Sequence, residues 1–341
     1  MRKKRMLVSI AAVLTVVTLL VNSTPASATV TSFGKWASRT KTMYVNTSSA
    51  TTPWAAGANK WKTNTNFNIS TTLGTSSTYY AVNVNTSMAT WDGLCTFTVD
   101  AGIITQATLN INTYYTSQSK YTSSIITAVA AHEVGHSLGL EHTSVVETTS
   151  IMHPYTFNSN GTTARALNPS ANDISVVNGL YPLQSSFALD ESSIESEALA
   201  DGVYVHPSWS VYYEDEAALT EAADLVVRGQ VVKEKGSKYK KGDYKNYTTD
   251  VNVGVLEVLK GEYVSGLPIT LSQMGGTDGD VTVFSDMSTY LKKGQEVILF
   301  LRKMADGTYI PINEDDGIYV ADSSSYANIA SSKKLDQKKI K

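Results

Sequence analysis

The chain has 341 residues, of which 42% are hydrophobic and 17% charged, and its formal net charge is −3. This length fits about two domains, each large enough to bury a core, and the composition is that of a soluble globular protein rather than a disordered or integral membrane protein. The single cysteine excludes an intramolecular disulfide, a four-cysteine metal site and an iron–sulfur cluster, and the mild acidity argues against nucleic acid as the main partner.

The first 28 residues have the pattern of a secretory signal peptide. Residues 2–5 are all basic, residues 6–21 form a mostly apolar run, and residues 26–28 read Ala-Ser-Ala, which a signal peptidase can cut. The apolar run is shorter than the ~20 residues that span a bilayer, so cleavage is favoured over membrane anchoring. We therefore expect an extracellular protein without stable membrane insertion. Export without a disulfide pair suits a Gram-positive bacterium.

Composition divides the mature chain into two regions. Residues 29–184 are rich in Thr, Ser, Asn and Tyr and poor in charge, residues 185–200 are a Ser-rich acidic linker, and residues 201–329 are strand-like and more charged. Residues 330–341 are predicted to be a basic, solvated tail. In the first region, alternating patterns predict short strands at 42–46, 80–84 and 107–111.

Two helices are predicted in the first region. Trp54 and Trp61 are seven residues apart, which places both on one buried helix face. A second helix begins with Ser123 or Ser124 as its cap, carries an apolar residue at every fourth position from 126 to 138, and ends at Gly139.

The second region is predicted to be mainly β. Runs at 225–232, 249–259, 269–273 and 297–301 are typical of strands, and glycines and charged turns separate them. A small antiparallel barrel or sandwich is the expected architecture.

Residues 132–142, HEVGHSLGLEH, contain the residues that carry chemistry. His132 and His136 are four apart, which puts both imidazoles on one helix face, and Gly139 allows the turn that brings His142 back as a third ligand. Three imidazole nitrogens leave a fourth zinc position open for water, which is typical of a catalytic zinc site rather than a structural one. A shuffled chain of this composition would show these five motif positions, including Glu133, roughly 1–3 times in a million.

Glu133 follows the first histidine and is predicted to be the general base. A zinc-bound water has its pKa lowered towards ~7, and Glu133 would take that proton and later hand it to the leaving amine.

The motif followed by a methionine turn resembles the metzincin signature, and residues 150–154, Ser-Ile-Met-His-Pro, carry that turn. Thr143 and the stretches at 34–36, 172–174 and 179–181 are similar to those of matrixins, the matrix metalloproteinase branch, so that the resemblance covers about residues 33–184. It implies an α+β catalytic domain, with a mixed twisted sheet and a zinc-binding helix, followed by the small mainly-β domain. It further implies that Met152 forms the floor of the site and that Asp173 braces the methionine turn.

The resemblance also implies a substrate pocket, and here the sequence departs from the family. Pro154 would line the pocket for the side chain that follows the cut bond, but Tyr155 is adjacent to it where matrixins usually place one residue between. Astacins supply a tyrosine to the metal from a similar turn, which leaves Tyr155 as a less favoured zinc ligand, and His153 is expected to be a turn residue. No histidine lies upstream of His132, so the second, structural zinc of matrixins is not expected.

The sequence does not support further metal-binding or latency residues. A calcium ion is not supported, because Asp92 and Asp100 are the only acids before residue 130. Cys95 is expected to be a small buried hydrophobic residue rather than a latency switch. His206 is isolated in sequence and is not expected to bind a metal.

Residues 223–229 and 255–261 resemble segments of netrin-like barrels, the fold of tissue inhibitors of metalloproteinases. Those inhibitors reach the zinc with an N-terminal cysteine, which this region lacks. Three roles of the second region therefore stay open. It could inhibit the catalytic domain of its own chain, bind a substrate or cell surface as a barrel, or stabilise the chain as an appendage.

Together these features predict a secreted zinc-dependent endopeptidase that acts on extracellular proteins or peptides, with one catalytic Zn²⁺. One alternative is an extracellular binding or adhesion protein with a relic metal site, and the complete ligand set with Glu133 argues against it. Another is a zinc hydrolase of a non-peptide amide. A strand at 107–111 with an exposed edge would favour peptide, because a substrate strand can pair with such an edge.

Overall fold

The fold is that of a computed structural model, which describes residues 32–49, 51–183, 201–238, 246–263, 266–323 and 325–340. The predicted signal peptide, residues 1–28, and the predicted linker, residues 185–200, lie outside the described residues. Within these ranges no helix combines the length and the apolar composition needed to cross a membrane.

The first half, residues 32–183, is a mixed sheet with helices packed on it. Its elements are the strands β1 (Thr40–Val45), β2 (Asn68–Leu73), β3 (Tyr79–Val84), β4 (Trp91–Asp100), β5 (Ile103–Asn112) and β6 (Tyr155–Asn158) and the helices α1 (Thr51–Lys62), α2 (Thr113–Thr116), α3 (Ser123–Ser137) and α4 (Ala171–Leu180). Strands β1–β5 lie in the order β2-β1-β3-β5-β4, and of these five β4 alone runs antiparallel to its neighbour. The predicted α+β class is confirmed.

Helix α1 packs against α3 through one face. Trp54, Gly57, Ala58 and Trp61 are buried at the spacing of a single helix stripe, which confirms the prediction for the two tryptophans. Gly57 is required for the close approach, since a Cβ there would lie 2.8 Å from the backbone nitrogen of Ala131. The indole of Trp61 also donates a hydrogen bond to the Ala131 carbonyl at 2.7 Å.

Helix α3 carries the motif histidines and is buried along most of its length. Its N-cap is Thr122, one residue before the two predicted serines, and the Thr122 side chain accepts from the Ile125 amide. After the helix, Gly139 has φ +105°, a value that favours glycine, and a Cβ there would lie 1.9 Å from the Gly34 carbonyl oxygen. The predicted end of the helix at Gly139 is therefore confirmed.

The second half, residues 201–340, is mainly β. Its elements are β7 (Gly202–Tyr212), α5 (Glu216–Ala222), β8 (Leu225–Lys238), β9 (Thr248–Lys260), β10 (Ile269–Met274), β11 (Gly276–Asp278), β12 (Val281–Ser285), β13 (Glu296–Lys303), β14 (Tyr309–Pro311), β15 (Ile318–Asp322) and β16 (Ser325–Asn328). The four predicted strands are present as β8, β9, β10 and β13. Strands β10-β9-β8-β13-β14 close into a ring, because β14 also pairs with β10 in parallel through Leu271 and Tyr309.

Strand β7 belongs to the sheet of the first half and not to this ring. It pairs antiparallel with β4 and parallel with both β6 and β12. The predicted division into two domains, with a linker at residues 185–200, stays a prediction. The first described strand after that linker, β7, is hydrogen-bonded into the preceding region.

The expected exposed edge at residues 107–111 is wrong. These residues lie in β5, which pairs with β3 on one side and β4 on the other, so both of its edges are used. The two edge strands of the five are β2 and β4, and β7 covers β4. The strand run at 107–111 therefore gives no argument for peptide binding.

The end of the chain also differs from the prediction of a solvated tail. Leu335 and Ile340 are 8% and 5% exposed and pack with Leu219 and Ala223 of α5 and its end. The Lys339 ammonium pairs with the Asp215 carboxylate at 3.1 Å. The apolar residues among the lysines anchor this segment, whereas the lysines themselves face solvent.

Candidate metal centre

Three histidine side chains converge at the end of α3. The Nε2 atoms of His132 and His136 are 3.0 Å apart, those of His136 and His142 are 3.1 Å apart, and those of His132 and His142 are 3.3 Å apart. A tetrahedral zinc with Zn–N bonds of ~2.0–2.1 Å holds its ligand atoms about 3.3–3.4 Å apart. The structure thus brings the three predicted ligands together at nearly the separation that zinc requires.

The other ring nitrogen of each histidine has its own hydrogen-bond acceptor. Nδ1 of His132 lies 2.7 Å from the Ile151 carbonyl oxygen, and Nδ1 of His136 lies 2.7 Å from the Leu140 carbonyl oxygen. Nδ1 of His142 lies 2.7 Å from Oδ2 of Asp286. When each Nδ1 carries the proton, the three Nε2 lone pairs point at one another, an arrangement that a cation stabilises. The residues present therefore fit a bound zinc ion.

Burial keeps these imidazoles neutral, as metal ligation requires. His132 and His136 are fully buried, and burial lowers the pKa of both well below its ordinary value. Burial likewise lowers the pKa of His142 to about 3, and the nearby Arg165 guanidinium adds to this effect. Neutral ligands need no deprotonation before a metal binds.

Glu133 lies in the wall of the same site. Its side chain is fully buried, and within the described ranges neither carboxylate oxygen has a well-aligned hydrogen-bond partner. Burial raises its pKa well above the ordinary value, and the Arg165 guanidinium opposes this rise. Gly93 of β4 makes room for the carboxylate, because a Cβ at that position would lie 2.2 Å from Glu133 Oε1.

The residues expected to support the site lie beneath it. Met152 is fully buried, and a Cβ at Gly135 would lie 2.4 Å from its sulfur, so the methionine packs directly against α3. Asp173 accepts from the Ser150 hydroxyl at 2.7 Å and from the Ile151 amide at 3.2 Å. The same carboxylate accepts from the Ser170 amide at 2.7 Å and caps α4. Asp173 thus joins the turn around residue 151 to α4.

The two predicted pocket residues are occupied by other contacts. The Pro154 carbonyl accepts a hydrogen bond from the Trp209 amide of β7 at 2.8 Å and another from Arg165 at 3.3 Å. Tyr155 is buried, and its hydroxyl donates to Asp316 Oδ2 at 2.7 Å. The structure therefore directs the Tyr155 hydroxyl to an acid of the second half, which gives no support to its role as a zinc ligand.

Two residues near the metal site were missed by sequence reasoning. His206 of β7 has its ring centroid 4.8 Å from that of His136, and its Nδ1 is 3.6 Å from Asp286 Oδ2. His142, His206 and Asp286 are close enough to form a second group that can hold a metal. The alternating residues around His206 could have indicated a strand, but Asp286 has no local signal.

Two of the considered residues have other roles. Asp92 is fully buried and accepts hydrogen bonds from Tyr121 at 2.6 Å and from Ser208 at 2.7 Å. Cys95 is fully buried in the core, as predicted.

Two buried acids of the second half should make stability depend on pH. Burial raises the pKa of Glu314 to about 8 and that of Asp316 to about 6. Between about pH 5 and pH 8 these two carboxyl groups retain protons in the folded chain that they have released in the unfolded chain, so their contribution to stability falls as the pH rises through this window. We expect these groups to lower the free energy of unfolding at pH 8, relative to pH 5, by on the order of a few kcal/mol.

Urea unfolding at the two pH values measures this effect. Glu314→Gln should raise the free energy of unfolding at pH 8 relative to that at pH 5, compared with the wild-type chain, because the amide does not titrate. The matched change Glu262→Gln, at an exposed position, should leave the difference as it is in the wild-type chain. The explanation is wrong if both variants have the same pH dependence.

Comparison with known proteins gives one family match. Residues 27–182 match the family model described as Matrixin. Among solved structures, the GM1-bound form of the ECX AB5 holotoxin is similar over 46% of this chain and 89% of its own, with 12% identity and a TM-score of 0.31. A crystal structure of myroilysin is similar over 44% of this chain and 86% of its own, with 17% identity and a TM-score of 0.29. The search of curated proteins returned no match.

Proposed function

Because residues 27–182 match the matrixin family model, we propose that the protein is a secreted zinc-dependent endopeptidase of the matrixin-like metzincin type. His132, His136 and His142 would hold the zinc ion through their Nε2 atoms, and Glu133 would act as the general base. The observation that carries this proposal is the convergence of three Nε2 atoms, two of them on fully buried imidazoles, beside a buried carboxylate. Such a set serves hydrolysis, whereas a structural zinc site would have a fourth protein ligand in place of the carboxylate.

Each residue has a distinct task in peptide hydrolysis. A bound zinc ion would supply Lewis acidity towards the scissile carbonyl and the attacking water. The Glu133 carboxylate removes a proton from the water and delivers it to the leaving nitrogen. A cation next to the carboxylate favours its charged form, which offsets the effect of burial on its pKa. The Ile151 and Leu140 carbonyls and Asp286 hold the imidazoles in the tautomer that ligates.

The proposed substrates are extracellular proteins or peptides. The pattern of residues 1–28 supports export, and the family supports action on peptide bonds. Cleavage of a quenched fluorescent casein over several hours tests the activity, with Glu133→Ala at matched zinc content as the comparison. Product formed by the wild-type chain alone supports the proposal, and measurable product formed at the same rate by both proteins contradicts it.

Zinc content tests the ligand set separately. The purified chain should contain about one zinc ion, and His136→Ala should lower its zinc affinity by at least about 100-fold, because two imidazoles hold zinc far less tightly than three. Glu133→Gln should retain the metal, since Glu133 is not a ligand. Elemental analysis after dialysis against a weak chelator measures both. Full zinc retention by His136→Ala would contradict the assignment.

A further inference from the structure

Strand β7 lies between β4, one of the two edge strands of the order β2-β1-β3-β5-β4, and β6, the strand that follows residues 150–154. Along β4 the register runs from Val99 opposite Gly202 to Trp91 opposite Trp209. Along β6, Tyr155 lies beside the same Trp209. The Trp209 amide donates to the Pro154 carbonyl at 2.8 Å. One extended strand thus fills the whole groove between β4 and β6.

The middle of β7 lies next to Glu133 and to two of the candidate zinc ligands. Ser208 is opposite Gly93, and a Cβ at Gly93 would lie 2.9 Å from the Ser208 hydroxyl and 2.2 Å from Glu133 Oε1. Two residues earlier, the ring of His206 packs against those of His136 and His142, at centroid distances of 4.8 and 5.9 Å. The strand therefore passes directly over the carboxylate and two of the three candidate zinc ligands.

A second segment, β12 with the residue that follows it, also approaches the three histidines. Strand β12 pairs in parallel with β7, and the residue that follows it, Asp286, reaches His142 at 2.7 Å. Two contacts from residues 313–316 hold this arrangement in place. The Asn313 side chain donates to the Val211 carbonyl at 2.8 Å, and Asp316 accepts from the Tyr155 hydroxyl.

An extended peptide binds a sheet edge through main-chain hydrogen bonds, and those bonds are already made by β7. On the basis of the proposed function, we propose that β7 is an internal occupant of the substrate groove and keeps the protease inactive until the strand withdraws. The occupant is a segment of this chain, residues 202–212, and it holds His206 against the candidate ligands His136 and His142, while Asp286 approaches His142 from the end of β12. Activity then depends on the fraction of molecules in which the groove is open.

The side of β7 that faces away from the histidines allows a clean test. Val205 is fully buried and belongs, with Val203 and Trp209, to an apolar cluster that also contains Leu94 of β4 and Met274 of β10. Val205→Asp places a carboxylate in this apolar contact, which should open the groove without altering a candidate zinc ligand. Leu256→Asp, at a position on β9 that is 55% exposed, is the matched control. Asp316→Ala is a milder variant that removes the carboxylate to which the Tyr155 hydroxyl and the Asn313 side chain donate.

Three measurements on the zinc-loaded full chain are needed: casein hydrolysis, hydrogen exchange of the amides of residues 91–99, and binding of a fluorescent peptide hydroxamate, which ligates zinc. For Val205→Asp we expect hydrolysis to rise about tenfold or more, β4 amides to lose protection and the hydroxamate to bind more tightly. Amides of α3 should stay protected, which shows that the domain remains folded. Asp316→Ala should change each quantity in the same direction by less, and Leu256→Asp should match the wild-type chain.

The outcomes separate this inference from the proposed function. The inference is overturned if the wild-type chain hydrolyses casein as fast as both Val205→Asp and Asp316→Ala. It is also overturned if the β4 amides lose protection in a variant that neither hydrolyses casein faster nor binds the hydroxamate more tightly. If Asp316→Ala is folded where Val205→Asp is not, the same criteria apply to it alone. Hydroxamate binding that increases on opening without any hydrolysis would support the occupied groove and contradict the endopeptidase assignment.

Discussion

Replacing Glu133 with glutamine should lower kcat/KM for a peptide substrate by about 10²–10⁴, the usual size of a general acid–base contribution. The amide has nearly the shape of the carboxylate but cannot accept the proton of the attacking water. Because Glu133 is buried beside the three histidines without being one of the ligands, zinc content and the unfolding midpoint should stay close to those of the parent chain. The rates are best compared in the Val205→Asp background, where the groove is expected to be open.

A matched control distinguishes this effect from the loss of any carboxylate. Glu221→Gln, at an exposed position of α5, removes the same charge far along the chain from the motif and should leave kcat/KM unchanged. A Glu133→Gln variant that retains more than about a tenth of the parent rate would mean that another group takes the proton.

Replacing Gly139 with alanine should have the largest effect on stability, with an expected loss of about 2–4 kcal/mol in the free energy of unfolding. The new Cβ would lie 1.9 Å from the Gly34 carbonyl oxygen, and the φ of +105° is unfavourable for alanine. Both the turn and its contact with residue 34 must then shift. Since His142 lies three residues further on, zinc affinity should fall together with stability.

Gly161→Ala separates the two causes. Gly161 has φ +84°, but a Cβ there would meet no atom within 4 Å. This variant should show only the conformational cost of about 1–2 kcal/mol and should bind zinc normally. Urea unfolding and zinc titration measure both quantities. If Gly139→Ala and Gly161→Ala lose the same free energy of unfolding, the close approach of the Gly34 carbonyl does not contribute to the cost of the Gly139 substitution.

Local patterns predicted the parts of the site that lie near one another in sequence. His132, Glu133 and His136 share one helix, and Gly139 and His142 follow within six residues, so helix geometry was sufficient to place them. The buried Trp54 and Trp61 were recognised for the same reason. Strands β8, β9, β10 and β13 were found because their apolar residues recur in short runs between turns.

The parts that sequence reasoning missed depend on contacts between distant residues. Asp286 is a single acid after a short strand and reaches His142 from 144 residues away. His206 was taken as isolated because its neighbours in space, His136 and His142, lie more than 60 positions earlier. Nor can alternation within residues 107–111 tell whether a strand lies at an edge, since that depends on which other strands pair with it.

The pairing of β7 also has a consequence for how the molecule unfolds. The same strand contributes Val203, Val205 and Trp209 to a core shared by both halves. This core also contains Trp91 and Leu94 of the first half and Met274 and Val283 of the second. Melting of either half exposes that shared core and removes a strand from its neighbour. The two halves should therefore denature in one cooperative transition, and the free energy of unfolding measured for the whole chain is not a sum of two independent values.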